Sequence, residues 1–235
     1  MKSCAVIPCY NVAPWCEAVV CEAMKHADHV IAVDDKSTDA TPAILRSIAE
    51  SSGGRLSLIS MSVNRGKGHA LIAAFKEALE KHDFDVLVTL DGDGQHRPED
   101  IPLLVTARES GADLAIGQRL NTRQMPFRSR IGNQLTTAVI RMVYSDCPTD
   151  TQSGFRGHAR HFAEMIAATV PGSRYETEMQ VLLLALKNRM KVATVTIPTI
   201  YLDENASSHF RPLCDSLRIA KCLFRWFFVR PKANG

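Results

Sequence analysis

The chain has 235 residues, 46% of them hydrophobic and 23% charged, with a formal net charge of +3. Those values fit one large globular domain and give no support for a nucleic-acid partner. No window approaches the roughly 20 apolar residues that cross a bilayer, and the opening MKSCAVIPCYN is too short for a secretory leader and stops at Pro8, so a cytosolic protein with at most peripheral membrane contact is expected.

The first half alternates strand and helix. CAVIP (Cys4–Pro8) reads as a buried strand, Pro14–Lys25 as a helix, and His29–Val33 as the next strand, closed by Asp34-Asp35. Ser37, Thr38 and Asp39 are good caps for a helix with Pro42 in its first turn and Gly53-Gly54 at its end. Leu56–Met61, Asp85–Leu90 and Asp113–Ile116 read as strands, and Gly68–Lys81 and Pro98–Glu109 as helices. This βαβα order predicts an α/β fold with a mainly parallel sheet covered on both faces. Later, Arg128–Tyr144, His158–Ala168, Tyr175–Lys187 and Leu213–Val229 read as helices. CPTDTQSGFRG reads as a loop and Lys191–Ile197 as a strand. Seven cysteines, with no C-x-x-C pair, read as free thiols of a reducing compartment.

Ligands of parallel sheets gather beyond the carboxyl ends of the strands. Polar clusters are expected there: Pro8-Cys9-Tyr10-Asn11, Asp34-Asp35-Lys36-Ser37, Asn64-Arg65-Gly66-Lys67-Gly68, Asp91-Gly92-Asp93 and Gly117-Gln118-Arg119. In TLDGDGQH, Asp91, Asp93 and Gln95 carry oxygen at alternate positions after an apolar run. That pattern fits either a hard divalent cation, Mg²⁺ or Mn²⁺, that shares its ligands with a diphosphate, or a solvated Asp-Gly turn. NRGKGHA is not a Walker loop, yet it places Arg65 and Lys67 near a helix start, a natural anion site. Arg119, and one of Arg123, Arg128 and Arg130, are candidates for bidentate phosphate binding. Asp150 in TDTQSGFRG is either an acceptor-side carboxylate or part of an Asx turn.

VIPCYN, VDDKSTDAT, NRGKGHAL, DGDGQHRPEDIP, GQR and DTQSGFRG together resemble the motif series of family-two glycosyltransferases of the GT-A fold, and within them polyprenyl-phosphate (dolichyl-phosphate mannose synthase-like) sugar transferases. The resemblance spans nearly the whole chain and is more specific for the superfamily than for the donor sugar. It implies a catalytic domain over residues 1–211 that moves a hexose from a UDP- or GDP-sugar to a lipid phosphate, with inversion. It also implies roles. Pro8, Tyr10, Asn11, Asp34, Asp35, Lys67 and Asp91 would hold the donor nucleotide, and Asp91, Asp93 and Gln95 the Mg²⁺ or Mn²⁺ ion. Asp93, Arg119 and Asp150 would be catalytic, while Arg128, Arg130, His209 and Arg211 would meet the acceptor or the diphosphate. Glu176 and Glu178 would fall in a helix bordering the acceptor site. Val12 stands where many relatives carry glutamate. A saccharide or other hydroxyl acceptor is the alternative, and a non-catalytic nucleotide-sugar-binding module the alternative of another class.

Residues 212–235 differ in character from what precedes them. Leu213, Leu217, Ala220, Phe224 and Phe227 form an apolar stripe at helical spacing, widened by Ile219, Leu223 and Trp226, while Arg218, Lys221 and Arg225 share another face. Such a helix suits an anionic membrane surface at the cytosolic face. It equally suits packing on the protein's own core, on a second copy or on a small transmembrane partner.

Overall fold

The computed structural model describes residues 1–119, 136–145, 147–173, 176–198 and 226. Strands β1 (Ser3–Cys9), β2 (His29–Asp34), β3 (Leu56–Ser60) and β4 (Val86–Thr89) are joined by helices α1 (Ala13–His26), α2 (Thr41–Ser51) and α3 (Lys67–Lys81). A 3₁₀ turn (Pro98–Asp100) leads into α4 (Ile101–Glu109) and strand β5 (Leu114–Arg119). Residues 136–141 are helical (α5). Strand β6 (Arg156–Ala159), helices α6 (Arg160–Thr169) and α7 (Glu176–Lys187) and strand β7 (Val192–Ile197) follow.

The seven strands form one sheet in the order β3-β2-β1-β4-β6-β5-β7. All pairings are parallel except those of β6, which runs antiparallel to both β4 and β5. Side chains alternate between two cores, as the strand period of two requires. Cys4, Val6, Ile31, Val33 and Leu87 face the cluster with Ala70, Phe75, Phe162 and Leu182. Ala5, Ile7, Val30, Ala32, Val86 and Val88 face the one with Cys16, Val20, Leu45, Ile101 and Leu104. Burial on both faces is why these strands read as continuous apolar runs.

Strand β6 corrects the sequence reading, which has a loop to Gly157 and a helix from His158. RGHA has no β-branched residue and no apolar alternation. It is a strand because β4 and β5 supply partners on both sides, with Thr89 opposite Arg156 and Leu114 opposite His158. Strand β5 also runs three residues further than read, so Gly117-Gln118-Arg119 belongs to the strand and not to the turn after it. Gly117 N–H donates to Phe155 O at 2.8 Å, and β7 pairs with β5 as far as Arg119. The sequence reading ends the strand at Ile116 because glycine and arginine lack strand propensity; pairing overrides that.

Between β1 and β4 the strand order reverses: β2 and β3 lie to one side, β6, β5 and β7 to the other. A crevice opens there beyond the carboxyl ends of the strands.

Candidate active site

On the β1–β2 side of the crevice the turns are stitched to each other by neutral and charge-assisted hydrogen bonds. Asn11 sits at φ 52°, a left-handed conformation that asparagine tolerates. Its Oδ1 accepts from Thr38 N–H at 2.8 Å, while its own N–H donates to Ser37 Oγ at 3.0 Å. Val12 N–H donates to Thr41 Oγ1 at 3.0 Å and Ala13 N–H to Asp39 Oδ2 at 3.1 Å. Asp39 Oδ1 also accepts from Thr41 N–H at 2.9 Å, so of the three candidate caps Asp39 supports the first turn of α2. Asp34 Oδ1 accepts from Ser37 N–H at 3.0 Å. Asp35 reaches the next turn: its two oxygens accept from Arg65 N–H at 2.9 Å and Gly66 N–H at 2.7 Å. Its carboxylate therefore shapes the NRGKG turn, where Gly66 takes φ 94° at the start of α3.

The β4 side is built on charge. Asp91 lies two residues beyond β4, and Gly92 lies against Cys9: a Cβ there would come 3.1 Å from Cys9 Sγ and 3.2 Å from Pro8 O. That close approach explains the glycine and joins the DGDGQ turn to the PCYN turn. Asp91 N–H donates to His96 Nδ1 at 3.1 Å, and the buried His96 ring stacks on Phe155 at 5.6 Å. Gln95 N–H donates to Asp93 Oδ1 at 3.1 Å, with Gly94 at φ 78° between them. Burial and the neighbouring Asp91 carboxylate push Asp93 up to about 6.

Lys67, the first residue of α3, points its ammonium inward. It lies 2.5 Å from Asp91 Oδ1 and 2.6 Å from Glu178 Oε1 of α7. Burial lowers its pKa, but the two carboxylates more than offset that, so it stands above the ordinary lysine value. Gly154 of the QSGFRG loop covers the pair: a Cβ there would lie 2.7 Å from Lys67 Nζ and 2.9 Å from Asp91 Oδ2. Thr89 Oγ1 donates to Gly154 O at 2.8 Å and holds that loop over β4. Asp150 is buried at the head of the same loop, its Oδ1 accepting from Gln152 N–H at 3.3 Å.

Arg156 went unnoticed in the sequence. It is 1% exposed, and its guanidinium donates to the carbonyls of Ser153 (2.8 Å), Glu178 (2.6 Å) and Thr151 (3.0 Å). It thereby ties the Asp150 loop to α7. An arginine in a stretch that reads as a loop gives no sequence signal for such burial; its acceptors lie in segments up to 22 residues away.

The crevice thus gathers Pro8, Tyr10, Asn11, Asp34, Asp35, Lys67, Asp91, Asp93 and Gln95, with Asp150 close by in chain and loop. Arg119 ends β5. Arg123, Arg128, Arg130, His209 and Arg211 lie outside the described residues. So does the apolar stripe of the tail apart from Trp226, which packs against the α3/α7 core with Lys187 Nζ 5.5 Å from its ring centre.

Among the described residues no group of three or more His, Cys, Asp or Glu gathers for a metal. Two carboxylates and an amide on one turn are not a closed structural site. They do fit a hard divalent cation that takes its other ligands from water and a diphosphate. Burial and the neighbouring Asp91 charge both raise Asp93, and such an ion would offset the two together.

Residues 4–164 match the family model of glycosyl transferase family 2. The chain belongs to that family. This glycosyltransferase is 30% identical over 215 residues to UDP-N-acetylglucosamine--dolichyl-phosphate N-acetylglucosaminyltransferase of Methanococcus voltae, covering 84% of this chain and 85% of that one. It is 29% identical over 204 residues to polyprenol monophosphomannose synthase of Mycolicibacterium smegmatis, covering 83% and 76%. In three dimensions the glycosyltransferase resembles glucosyl-3-phosphoglycerate synthase from Mycobacterium tuberculosis, solved with Mg²⁺ and UDP. The TM-score is 0.69 at 20% identity, over 98% of this chain and 81% of that one. That likeness establishes the GT-A fold.

Proposed function

We propose that this glycosyltransferase moves a hexose from a UDP- or GDP-sugar to a polyprenyl phosphate, with inversion, at the cytosolic face of a membrane. The observation that carries the reading is the meeting of the DGDGQ turn with the PCYN turn on one side and the TDTQSG loop on the other. Donor and acceptor sites then share Asp91 and Asp93 as their boundary. The two relatives named for dolichyl-phosphate and polyprenol substrates support the acceptor class.

In this reading the turns bearing Pro8, Tyr10, Asn11, Asp34 and Asp35 frame the nucleoside, and Asp91, Asp93 and Gln95 hold Mg²⁺ or Mn²⁺. The bound cation would offset the charge that develops on the departing diphosphate. Lys67 acts from its place beneath Asp91, between two carboxylates. Arg119, with Arg128 or Arg130, meets the acceptor phosphate, and His209 and Arg211 approach the diphosphate. A lipid monophosphate, with a second pKa of roughly 6, is already largely ionised at neutral pH. Asp150 therefore orients the acceptor and need not remove a proton.

The test is incubation with Mn²⁺, polyprenyl phosphate and a panel of labelled nucleotide sugars, counting label in the organic phase, with Asp93→Ala as control. Label that enters the lipid and disappears in the variant is the expected result and names the donor. Metal-dependent nucleotide release with no label in the lipid would mean that the donor reading is right and the lipid-phosphate acceptor wrong. Donor binding without any turnover would leave a binding module.

A further inference from the structure

Glu178 and His158 are only 7% and 2% exposed. His158 has no part in the chemistry proposed above, and Glu178 offers it one oxygen alone: Oε1 lies 2.6 Å from Lys67 Nζ. Each residue also keeps a buried polar atom, Glu178 Oε2 and His158 Nδ1, with no hydrogen-bond partner among the described residues. A buried polar atom left unpaired costs stability.

Both residues line one cavity of about 20 Å³ between strands β4 and β6 and helices α3, α6 and α7. Arg156 and His158 reach it together because alternate residues of a strand share a face. Leu71, Ile72, Phe75, Ile166 and Val181 make its apolar walls, and Thr89 and Thr177 add two hydroxyls. These walls define the occupant. A cation would meet the Arg156 guanidinium and an anion the Glu178 carboxylate. An apolar guest would leave the carboxylate and the imidazole unpaired. What fits is small, neutral and able both to donate and to accept. The carboxylate oxygen only accepts, whereas Nδ1 of the neutral imidazole that burial enforces donates in one tautomer and accepts in the other. Water serves either arrangement. A polar cavity holds a water once roughly 10–15 Å³ is open to it and 2–4 polar groups surround it.

We infer that this cavity is a built water site: an ordered internal water joins Glu178 Oε2 to His158 Nδ1, ties α7 to β6, and completes the hydrogen bonding of the carboxylate that holds Lys67. The inference stands apart from the donor and acceptor assignments above.

The test compares crystals of the full chain before and after xenon pressurisation, with long-lived internal waters counted in solution by ¹⁷O magnetic relaxation dispersion. The expected result is a water peak within hydrogen-bond reach, about 2.7–3.2 Å, of both Glu178 Oε2 and His158 Nδ1, and no xenon in the cavity. Xenon that enters the cavity, or density for neither guest, shows it dry and overturns the inference, since apolar cavities stay dry and take up xenon. An ion in place of the water, recognised by its anomalous scattering or ligand distances, overturns the choice of occupant. His158→Phe keeps a ring and removes Nδ1. The peak should then vanish, and relaxation dispersion should count fewer long-lived waters than in wild type. A peak that stays at full occupancy without Nδ1 overturns the bridge. If His158→Phe does not fold, the wild-type crystals decide alone.

Discussion

The two sides of the crevice hold their acids in opposite ways. On the β1–β2 side, Asp34, Asp35 and Asp39 spend their oxygens on backbone N–H groups of neighbouring turns. On the β4 side, Asp91 and Glu178 share one lysine, and Asp93 is crowded by Asp91. Satisfied carboxylates fix backbone geometry, whereas crowded ones keep charge available for a ligand. The first set should therefore register in stability and the second in chemistry.

Replacing Asp93 by alanine tests the chemical side most severely. Transfer should fall by about 10²–10³-fold, the scale seen when one charge-stabilising group is lost, while the unfolding midpoint in urea stays near wild type. Gly154→Ala comes next. Its Cβ would press on Lys67 Nζ at 2.7 Å and Asp91 Oδ2 at 2.9 Å. Displacing that pair by a fraction of an ångström should cost up to about 100-fold in transfer, with a smaller change in denaturant midpoint. Equal losses of stability and activity would erase the distinction between the two sides.

On the structural side, Asp35→Ala removes both acceptors of the Arg65 and Gly66 N–H groups. The expected loss is about 3 kcal/mol, from two charge-assisted hydrogen bonds, read from denaturant curves. A stability unchanged by Asp35→Ala would show that the carboxylate is not what holds the NRGKG turn.

The smallest effect to be read is a change of slope with pH between about pH 6 and 5. His158 is buried between Phe75 (5.1 Å) and Phe162 (6.1 Å), and burial, with Arg156 nearby, holds it down at about 3. Below the ordinary histidine pKa the unfolded chain binds a proton that the folded chain refuses. Stability contributed by neutral His158 is thus present above about 6.5 and is lost as pH falls towards 3, by at most about 1.4 kcal/mol per pH unit. His158→Leu should flatten the stability profile between pH 6 and 5; an unchanged slope would show that His158 does not titrate as its surroundings dictate.

Much of the fold was legible because β1, β2 and β4 are buried on both faces and their helices on one, which leaves plain periodicities in the sequence. The polar turns were legible too, since each follows an apolar run and is too dense in acids, amides and glycines for an ordinary loop. Position along the chain thus determined the sheet's first half, the crevice edge and the DGDGQ turn. Tertiary structure alone decided the rest. RGHA is a strand only because β4 and β5 leave a lane between them. Lys67, Glu178, Arg156 and Gly154 converge although as many as 111 residues (178 − 67) separate the two ends of one ion pair. Pairing of charges across such a distance has no period and no local propensity; it exists only where folded elements bring the groups within hydrogen-bond reach and exclude water around them.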